Sequence, residues 1–205
     1  MSHRICRIMS YQPRCTIHCR MMINPPITHI PGLAWAHDLY DYFLQHLDRR
    51  SYPITMYGKQ MLQPRLVARY ADPWVRYTYS RTTLKWNWRD SILSQLKDML
   101  TSQYWVMLNS ALCNLYRDGN DSMWRHADDE KELWSDPIIV SVSLWASRMM
   151  KFRSDTGESY SLILNHGDIL IMHAWCQTHR QHSIPKTAKI LPPRINITFR
   201  YVQNV

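Results

Sequence analysis

The residues of this chain best suited to chemistry are His126 and Asp128, which are separated by Ala127. An imidazole and a carboxylate two residues apart on an extended strand point to the same side, so both can reach one small cation. A second imidazole would complete a set that occupies one face of an octahedral ion and leaves the opposite face open. An open face allows a reaction at the metal, and the pair therefore predicts a catalytic metal site.

The second imidazole has several candidates, because four histidines follow within one C-terminal stretch. Spacing alone does not choose among them: His166, His173, His179 and His182.

A second pattern lies near the C-terminus, where Arg194, Asn196, Thr198 and Arg200 alternate with Ile195, Ile197 and Phe199. On a strand, the four polar groups would share one face and the three apolar groups the other. A planar guanidinium can bind a carboxylate through two hydrogen bonds. Two inward-facing arginines therefore predict an anionic guest, and a dicarboxylate such as 2-oxoglutarate is the co-substrate that a two-histidine, one-carboxylate iron site commonly uses.

Five motifs together resemble the AlkB family of Fe(II)- and 2-oxoglutarate-dependent dioxygenases, which remove alkyl groups from nucleic-acid bases. The resemblance spans Tyr57 to Val202, and the motifs follow the family order: N-x-Y-R-D-G at 114–119, H-x-D-D-E at 126–130, H-G-D-I-L-I-M at 166–172, H-S-I-P at 182–185 and P-R-I-N-I-T-F-R at 193–200.

This resemblance implies a role for each matched position. His182, in H-S-I-P, becomes the third metal ligand beside His126 and Asp128. Arg200 is expected to hold the distal carboxylate of 2-oxoglutarate, with the remaining cofactor residues being Asn114, Tyr116, Arg194, Asn196 and Thr198. Asp129 is expected to contact the target base, and Glu130 to support the site or lie on the surface.

A nucleotide-recognition lid at about residues 54–90 is also implied by the resemblance. Its expected substrate residues are Tyr57, Gly58, Lys59, Tyr77, Thr78 and Tyr79. An enzyme acting on a base must take it out of the stack, so an aromatic ring can fill the gap that the base leaves. Tyr57 beside Gly58 is typical of an exposed turn and is the expected finger.

The implied activity is oxidative demethylation of bases such as 1-methyladenine and 3-methylcytosine. It would use Fe(II), O2 and 2-oxoglutarate and release formaldehyde, succinate and CO2. The substrate would be single- or double-stranded DNA, with RNA as a further candidate. Two alternatives stay open: a dioxygenase acting on protein or small molecules, and a nucleic-acid-binding module without catalysis.

Length and composition describe one globular domain, since 205 residues with 45% hydrophobic and 20% charged side chains can bury a core. The net charge of +9 favours a polyanionic partner. No apolar run approaches the roughly 18 residues that would span a membrane. We expect a soluble, intracellular monomer of the nucleus or cytoplasm, with an organelle as a further alternative.

Apolar spacing predicts two core-facing helices, over Leu33–Leu47 and Ile92–Leu100. The strands are predicted at Trp105–Leu108, Ile138–Leu144, Tyr160–Leu164, Ile169–His173 and Ile195–Tyr201, a pattern typical of a sandwich or barrel. The resemblance sharpens this to a double-stranded β-helix, or jelly roll, with N-terminal supporting helices.

The first 30 residues are expected to form a basic, flexible tail ahead of a dioxygenase domain at 31–205. Cys15, His18 and Cys19 resemble half of a zinc knuckle, but no second pair of ligands follows. Five cysteines are an odd number and too sparse for a secreted disulfide scaffold, which favours a reducing compartment.

Overall fold

The computed structural model describes residues 21–23, 26–56, 59–79, 82–85, 90–133 and 137–203. Two antiparallel sheets face each other and form a jelly roll. The larger sheet has seven strands in the order β1-β2-β13-β10-β15-β8-β5. Their bounds are β1 Met21–Ile23, β2 Ile27–Ile30, β13 Ile169–Met172, β10 Ile139–Trp145, β15 Arg194–Arg200, β8 Ser110–Tyr116 and β5 Leu66–Ala71.

The smaller sheet has the order β12-β11-β14-β9. Its strands are β12 Ser159–Leu164, β11 Arg148–Ser154, β14 Arg180–Ile184 and β9 Met123–His126. Buried side chains of both sheets, including Tyr116, Ile139, Phe152 and Ile184, form one cluster between them. The predicted fold class is confirmed.

Two longer helices cover the outer face of the larger sheet, α1 (Ala36–His46) and α2 (Ser91–Tyr104). Asp90 begins α2 by accepting a hydrogen bond from the Leu93 amide at 2.8 Å. The buried leucines and isoleucine of α2 pack with Ile195, Ile197 and Phe199 of β15. Both predicted helices are confirmed, and the apolar side of β15 faces them, which leaves its polar side for the space between the sheets.

The predicted strand at Trp105–Leu108 is wrong. Trp105 ends α2 in the left-handed conformation, with φ 56°, and the next strand, β8, begins at Ser110. The chain must reverse direction between helix and sheet, and this turn uses the apolar residues that were read as a strand.

The start of the sheet also differs from the expected boundary at residue 30. β2 pairs with β13, with Ile27 opposite Met172, and Ile27 is fully buried. The larger sheet therefore begins before residue 31.

The expected lid at about 54–90 is not one structural unit. It holds two small hairpins, β3–β4 (Pro53–Met56 and Lys59–Leu62) and β6–β7 (Arg76–Tyr79 and Thr82–Lys85), but β5 between them belongs to the larger sheet. A short helix, α3 (Ala174–His179), precedes β14. No helix in the described part of the chain is long and apolar enough to cross a membrane.

Candidate active site

The three predicted metal residues come together between the sheets. His126 ends β9 and is the direct cross-strand partner of His182 on β14, and Asp128 follows two residues later. Nε2 of His126 lies 3.8 Å from one carboxylate oxygen of Asp128, and Nε2 of His182 lies 3.9 Å from the other. Within the described residues, these three form the one cluster of His, Cys, Asp or Glu side chains that could hold a metal ion.

The protonation of the cluster suits metal binding. Nδ1 of His126 lies 2.8 Å from the carbonyl oxygen of Trp124, so it carries the proton and leaves the Nε2 lone pair towards Asp128. Burial lowers the pKa of His182 to about 3, which keeps this imidazole neutral near pH 7. Burial opposes ionisation of Asp128, but its electrostatic interactions with Arg200 first, and then with His182 and His126, outweigh burial and hold the pKa of Asp128 below its usual value.

The donor set therefore fits a divalent ion such as Fe(II). Its donor atoms all lie within 4.8 Å of one another, and small side-chain rotations would close them around one cation. Two neutral imidazoles and one carboxylate leave three positions of an octahedral ion for other ligands.

A cavity extends from this cluster between the sheets. The polar residues predicted on β15 all line it, as do Asn114 and Tyr116 of β8, and the full set is Asn114, Tyr116, Arg194, Asn196, Thr198 and Arg200. The structure thus brings all the predicted cofactor residues to one cavity.

Arg194 lies deep in this cavity and is 1% exposed. Its Nη2 donates to the hydroxyl of Ser143 at 2.9 Å, whereas Nε and Nη1 have no hydrogen-bond acceptor among the described residues. Burial lowers the pKa of Arg194 to about 10. The Tyr116 ring lies between two guanidiniums, with Cζ of Arg194 5.3 Å and Cζ of Arg148 5.4 Å from its centroid. A buried cation with two unused donors is suited to a carboxylate guest.

Arg200 occupies a different place from the one expected. Its Nη1 lies 3.4 Å from Oδ1 of Asp128, so its guanidinium is beside the metal cluster rather than at the far end of the cavity. The distal carboxylate of a bound 2-oxoacid must lie away from the metal. The position of Arg200 differs from the one expected, and it makes Arg194 the candidate for that carboxylate.

A second cavity adjoins the same cluster. It shares His126, Asp128 and Arg200 with the first cavity, but it lacks Arg194. Arg65, Arg69 and Glu130 line it as well. Asp129, the expected base contact, is exposed and lines neither cavity, whereas its neighbour Glu130 does.

The rival histidines lie elsewhere. Nε2 of His173 is 2.9 Å from the Thr28 hydroxyl, and Nδ1 of His166 accepts from the Trp145 amide at 2.8 Å. His179 is exposed, with its ring 4.8 Å from that of Trp175. None of the three belongs to the metal cluster.

The substrate residues expected in the lid are only partly covered. Tyr57 and Gly58 lie outside the described residues, as do Cys15, His18 and Cys19 of the tail. Lys59 begins β4, and Tyr77, Thr78 and Tyr79 lie in β6. Their substrate roles stay predictions.

Sequence reasoning missed two side chains that hold the predicted residues in place. The buried Gln177, on α3, accepts a hydrogen bond from the Asp128 amide at 3.1 Å. The buried Arg65 donates from Nε to Oδ1 of Asn114 at 2.7 Å. Each contact joins residues 49 positions apart. Arg65 falls within the expected lid at about 54–90, but no sequence pattern pointed to either contact.

Comparison with known proteins agrees with this site. The family model described as the 2OG-Fe(II) oxygenase superfamily matches residues 27–200. The alpha-ketoglutarate-dependent dioxygenase alkB homolog 3 of Bos taurus is 41% identical over 152 residues, covering 68% of this chain and 52% of that protein. The DNA oxidative demethylase ALKBH2 of Bos taurus is 34% identical over 196 residues, covering 88% of this chain and 69% of that protein. The solved structure of OsALKBH1 aligns with a TM-score of 0.62 at 17% identity, over 88% of this chain and all of that one, which supports the fold.

The metal cluster, the jelly roll and the family match place the chain in the 2OG-Fe(II) oxygenase superfamily. The chain belongs to the AlkB family of these oxygenases. It spans about half the length of the alkB homolog 3 proteins that it matches.

Proposed function

We propose that this protein oxidatively demethylates N-alkylated bases, such as 1-methyladenine and 3-methylcytosine, in DNA, with RNA as a further substrate. The observation that carries the proposal is that two cavities meet at His126 and Asp128. One cavity has the cationic, buried end that a dicarboxylate needs, and the other gives a second molecule access to the same metal. Relatives at 34% and 41% identity are named as a DNA oxidative demethylase and a dioxygenase.

In the first cavity, His126, Asp128 and His182 would hold Fe(II), and the neighbouring residues would orient 2-oxoglutarate. Arg194 would bind its distal carboxylate, because it is the guanidinium farther from the cluster and has two free donors. Arg200 would sit near the carboxylate that adjoins the metal, since it already contacts Asp128. The Asn114 amide would donate from Nδ2, because Arg65 occupies its oxygen.

In the second cavity, the methylated base would lie against Glu130. Both 1-methyladenine and 3-methylcytosine carry a positive charge, and a carboxylate facing the base complements it. Arg65 and Arg69 line the same cavity and could contact the phosphates or the sugar of the nucleotide.

Fe(II), O2 and 2-oxoglutarate supply the oxidation of the N-methyl carbon, after which the base is restored and formaldehyde is released. The protein contributes by holding the metal, fixing the two molecules on either side of it and keeping the reacting carbon near the open face. On this proposal, the net charge of +9 helps to bring a polyanionic substrate to the site. The protein would act as an intracellular monomer, in the nucleus or cytoplasm.

The direct test offers methylated single-stranded DNA, duplex DNA and RNA in parallel, with formaldehyde and succinate measured. At least one methylated substrate should release formaldehyde in proportion to succinate, and unmethylated oligonucleotides should release none. His126→Ala should abolish both products. Succinate formation without formaldehyde from any of the three would direct the search to a protein or small-molecule substrate.

A further inference from the structure

Strand β9 carries an extra residue beside the metal cluster. Its pairing with β14 joins His126 to His182 and Met123 to Ile184, so a step of three residues on β9 faces a step of two on β14. This is a β-bulge, and bulges beside active sites change the direction in which side chains point.

The bulged strand β9 has two residues that line the cavities and two that are exposed. Met123 and His126, three positions apart, both line the two cavities, although a regular strand would turn them to opposite faces. Trp124 and Arg125, between them, line neither cavity and are exposed, Trp124 to 43%. An indole and a guanidinium therefore occupy two consecutive exposed positions immediately before His126.

The metal site needs the backbone of Trp124 but not its indole. The Trp124 carbonyl oxygen accepts the proton of His126 Nδ1, and any residue at this position supplies that carbonyl. What distinguishes Trp124 from the other exposed tryptophans is its place two residues before His126, where an aromatic ring can meet a partner with a flat apolar face. Nucleobases have such a face, and stacking on an aromatic side chain is tolerant of base identity.

We infer that Trp124 stacks on a base adjacent to the target nucleotide and that Arg125 binds the neighbouring phosphate. This inference rests on the proposed nucleic-acid substrate and adds an interface that lies in β9, outside the expected lid. It favours single-stranded DNA or RNA, because only an unpaired base offers its face to an indole. The strand would enter along β9, and its next nucleotide would reach the second cavity.

The test measures binding without chemistry, with the full 205-residue chain, no iron and a fluorescent unmethylated single-stranded oligonucleotide. Trp124→Ala should weaken binding about ten-fold, and Trp124→Phe should recover most of the loss because phenylalanine also stacks. Arg125→Gln should weaken binding and reduce the salt dependence by about one ion, since one phosphate contact is lost.

The matched control is Trp105→Ala. Trp105 is 94% exposed but follows α2, which packs on the outer face of the larger sheet, away from both cavities. Its loss should leave the affinity within about two-fold of wild type. Melting curves of each variant would verify folding, and Trp124→Phe gives a result even if the alanine variant is unstable.

Equal affinities for wild type, Trp124→Ala and Trp105→Ala would overturn the inference. Formaldehyde release by the wild-type protein would still support the proposed function in that case. Conversely, a wild-type protein that binds the oligonucleotide through Trp124 but releases no formaldehyde would keep the interface and refute the demethylase.

Discussion

Nε of Arg65 donates to Oδ1 of Asn114 at 2.7 Å, and both side chains are buried. Arg65 lines the second cavity and Asn114 the first, so this hydrogen bond crosses the wall between them. With its oxygen occupied, the Asn114 amide presents its NH2 group to the first cavity. A residue of the second cavity thereby sets the orientation of a residue of the first cavity.

Replacing Arg65 should therefore weaken the binding of 2-oxoglutarate, although Arg65 does not line the cavity proposed for that molecule. Arg65→Met leaves Oδ1 of Asn114 without its donor, at a cost of about 1–3 kcal/mol, and the KM for 2-oxoglutarate should rise roughly ten-fold. Arg69→Met removes the same charge from the second cavity without touching Asn114, and it should change this KM by less than about two-fold. If both variants raise the KM equally, the effect is one of cavity charge and the hydrogen bond is unimportant.

Substitutions of the two arginines of β15 should have different effects, because each arginine is proposed to bind a different part of 2-oxoglutarate. Arg194→Gln should raise the KM for 2-oxoglutarate by roughly ten- to hundred-fold, for a loss of about 1.5–3 kcal/mol. It should barely affect 2-oxovalerate, which lacks the distal carboxylate. Arg200→Gln should preserve the wild-type preference for 2-oxoglutarate over 2-oxovalerate, because Arg200 adjoins Asp128. Loss of that preference in Arg200→Gln instead would return the distal carboxylate to Arg200.

Gln177 should contribute to metal affinity without being a ligand. Gln177→Met removes the acceptor of the Asp128 amide, so the carboxylate loses part of its fixed position and affinity for Co(II) or Mn(II) should fall about ten-fold or more. Hydrogen exchange at the Asp128 amide in metal-free protein should quicken in the same variant. Thr178→Ala, on the exposed side of the same helix, should alter neither quantity. An unchanged exchange rate in Gln177→Met would show that this hydrogen bond does not hold Asp128.

The tight contact at Gly119 should matter for stability. A Cβ there would lie 2.7 Å from the carbonyl oxygen of Lys189 and closer still to that of Thr187, both backbone atoms that cannot rotate away. Gly119→Ala should lower the free energy of unfolding by about 1–3 kcal/mol, measured by urea denaturation. Asn120→Ala, at the exposed next position, should change it by no more than about 0.5 kcal/mol. Equal stability of the two variants would mean that the segment at Gly119 and the segment that holds Thr187 and Lys189 can move apart at little cost in free energy.

The sequence predicted the site residues that lie on one face of a strand, because such residues recur at every second position. Arg194, Asn196, Thr198 and Arg200 alternate with apolar neighbours, and the structure places the two sets on opposite faces of β15. The family motifs located His182 among four candidates. Register and alternation are local properties, so they can be read from one segment of chain.

What sequence could not predict depends on contacts between distant segments. Arg65 and Gln177 act through hydrogen bonds to residues 49 positions away, and neither lies in a motif. The assignment of Arg200 to the distal carboxylate was a matter of depth along the cavity, which the face of a strand does not specify. The bulge at Trp124 could not be predicted from the sequence, because one added residue leaves the apolar pattern of a four-residue strand unchanged.

The position of β9 at the edge of the smaller sheet has a consequence for how the protein loses its metal. Among the described strands, β9 is hydrogen-bonded to β14 alone, and it carries His126 and leads directly into Asp128. Strands at an edge open locally at a lower free energy than strands inside a sheet. A metal ion bound by His126 and His182 would cross-link this edge strand to its neighbour and raise that local free energy by an amount that grows with the free metal concentration relative to its dissociation constant. Iron supply would therefore set the lifetime of β9 against proteolysis, and an iron-starved cell would lose the protein itself as well as its activity.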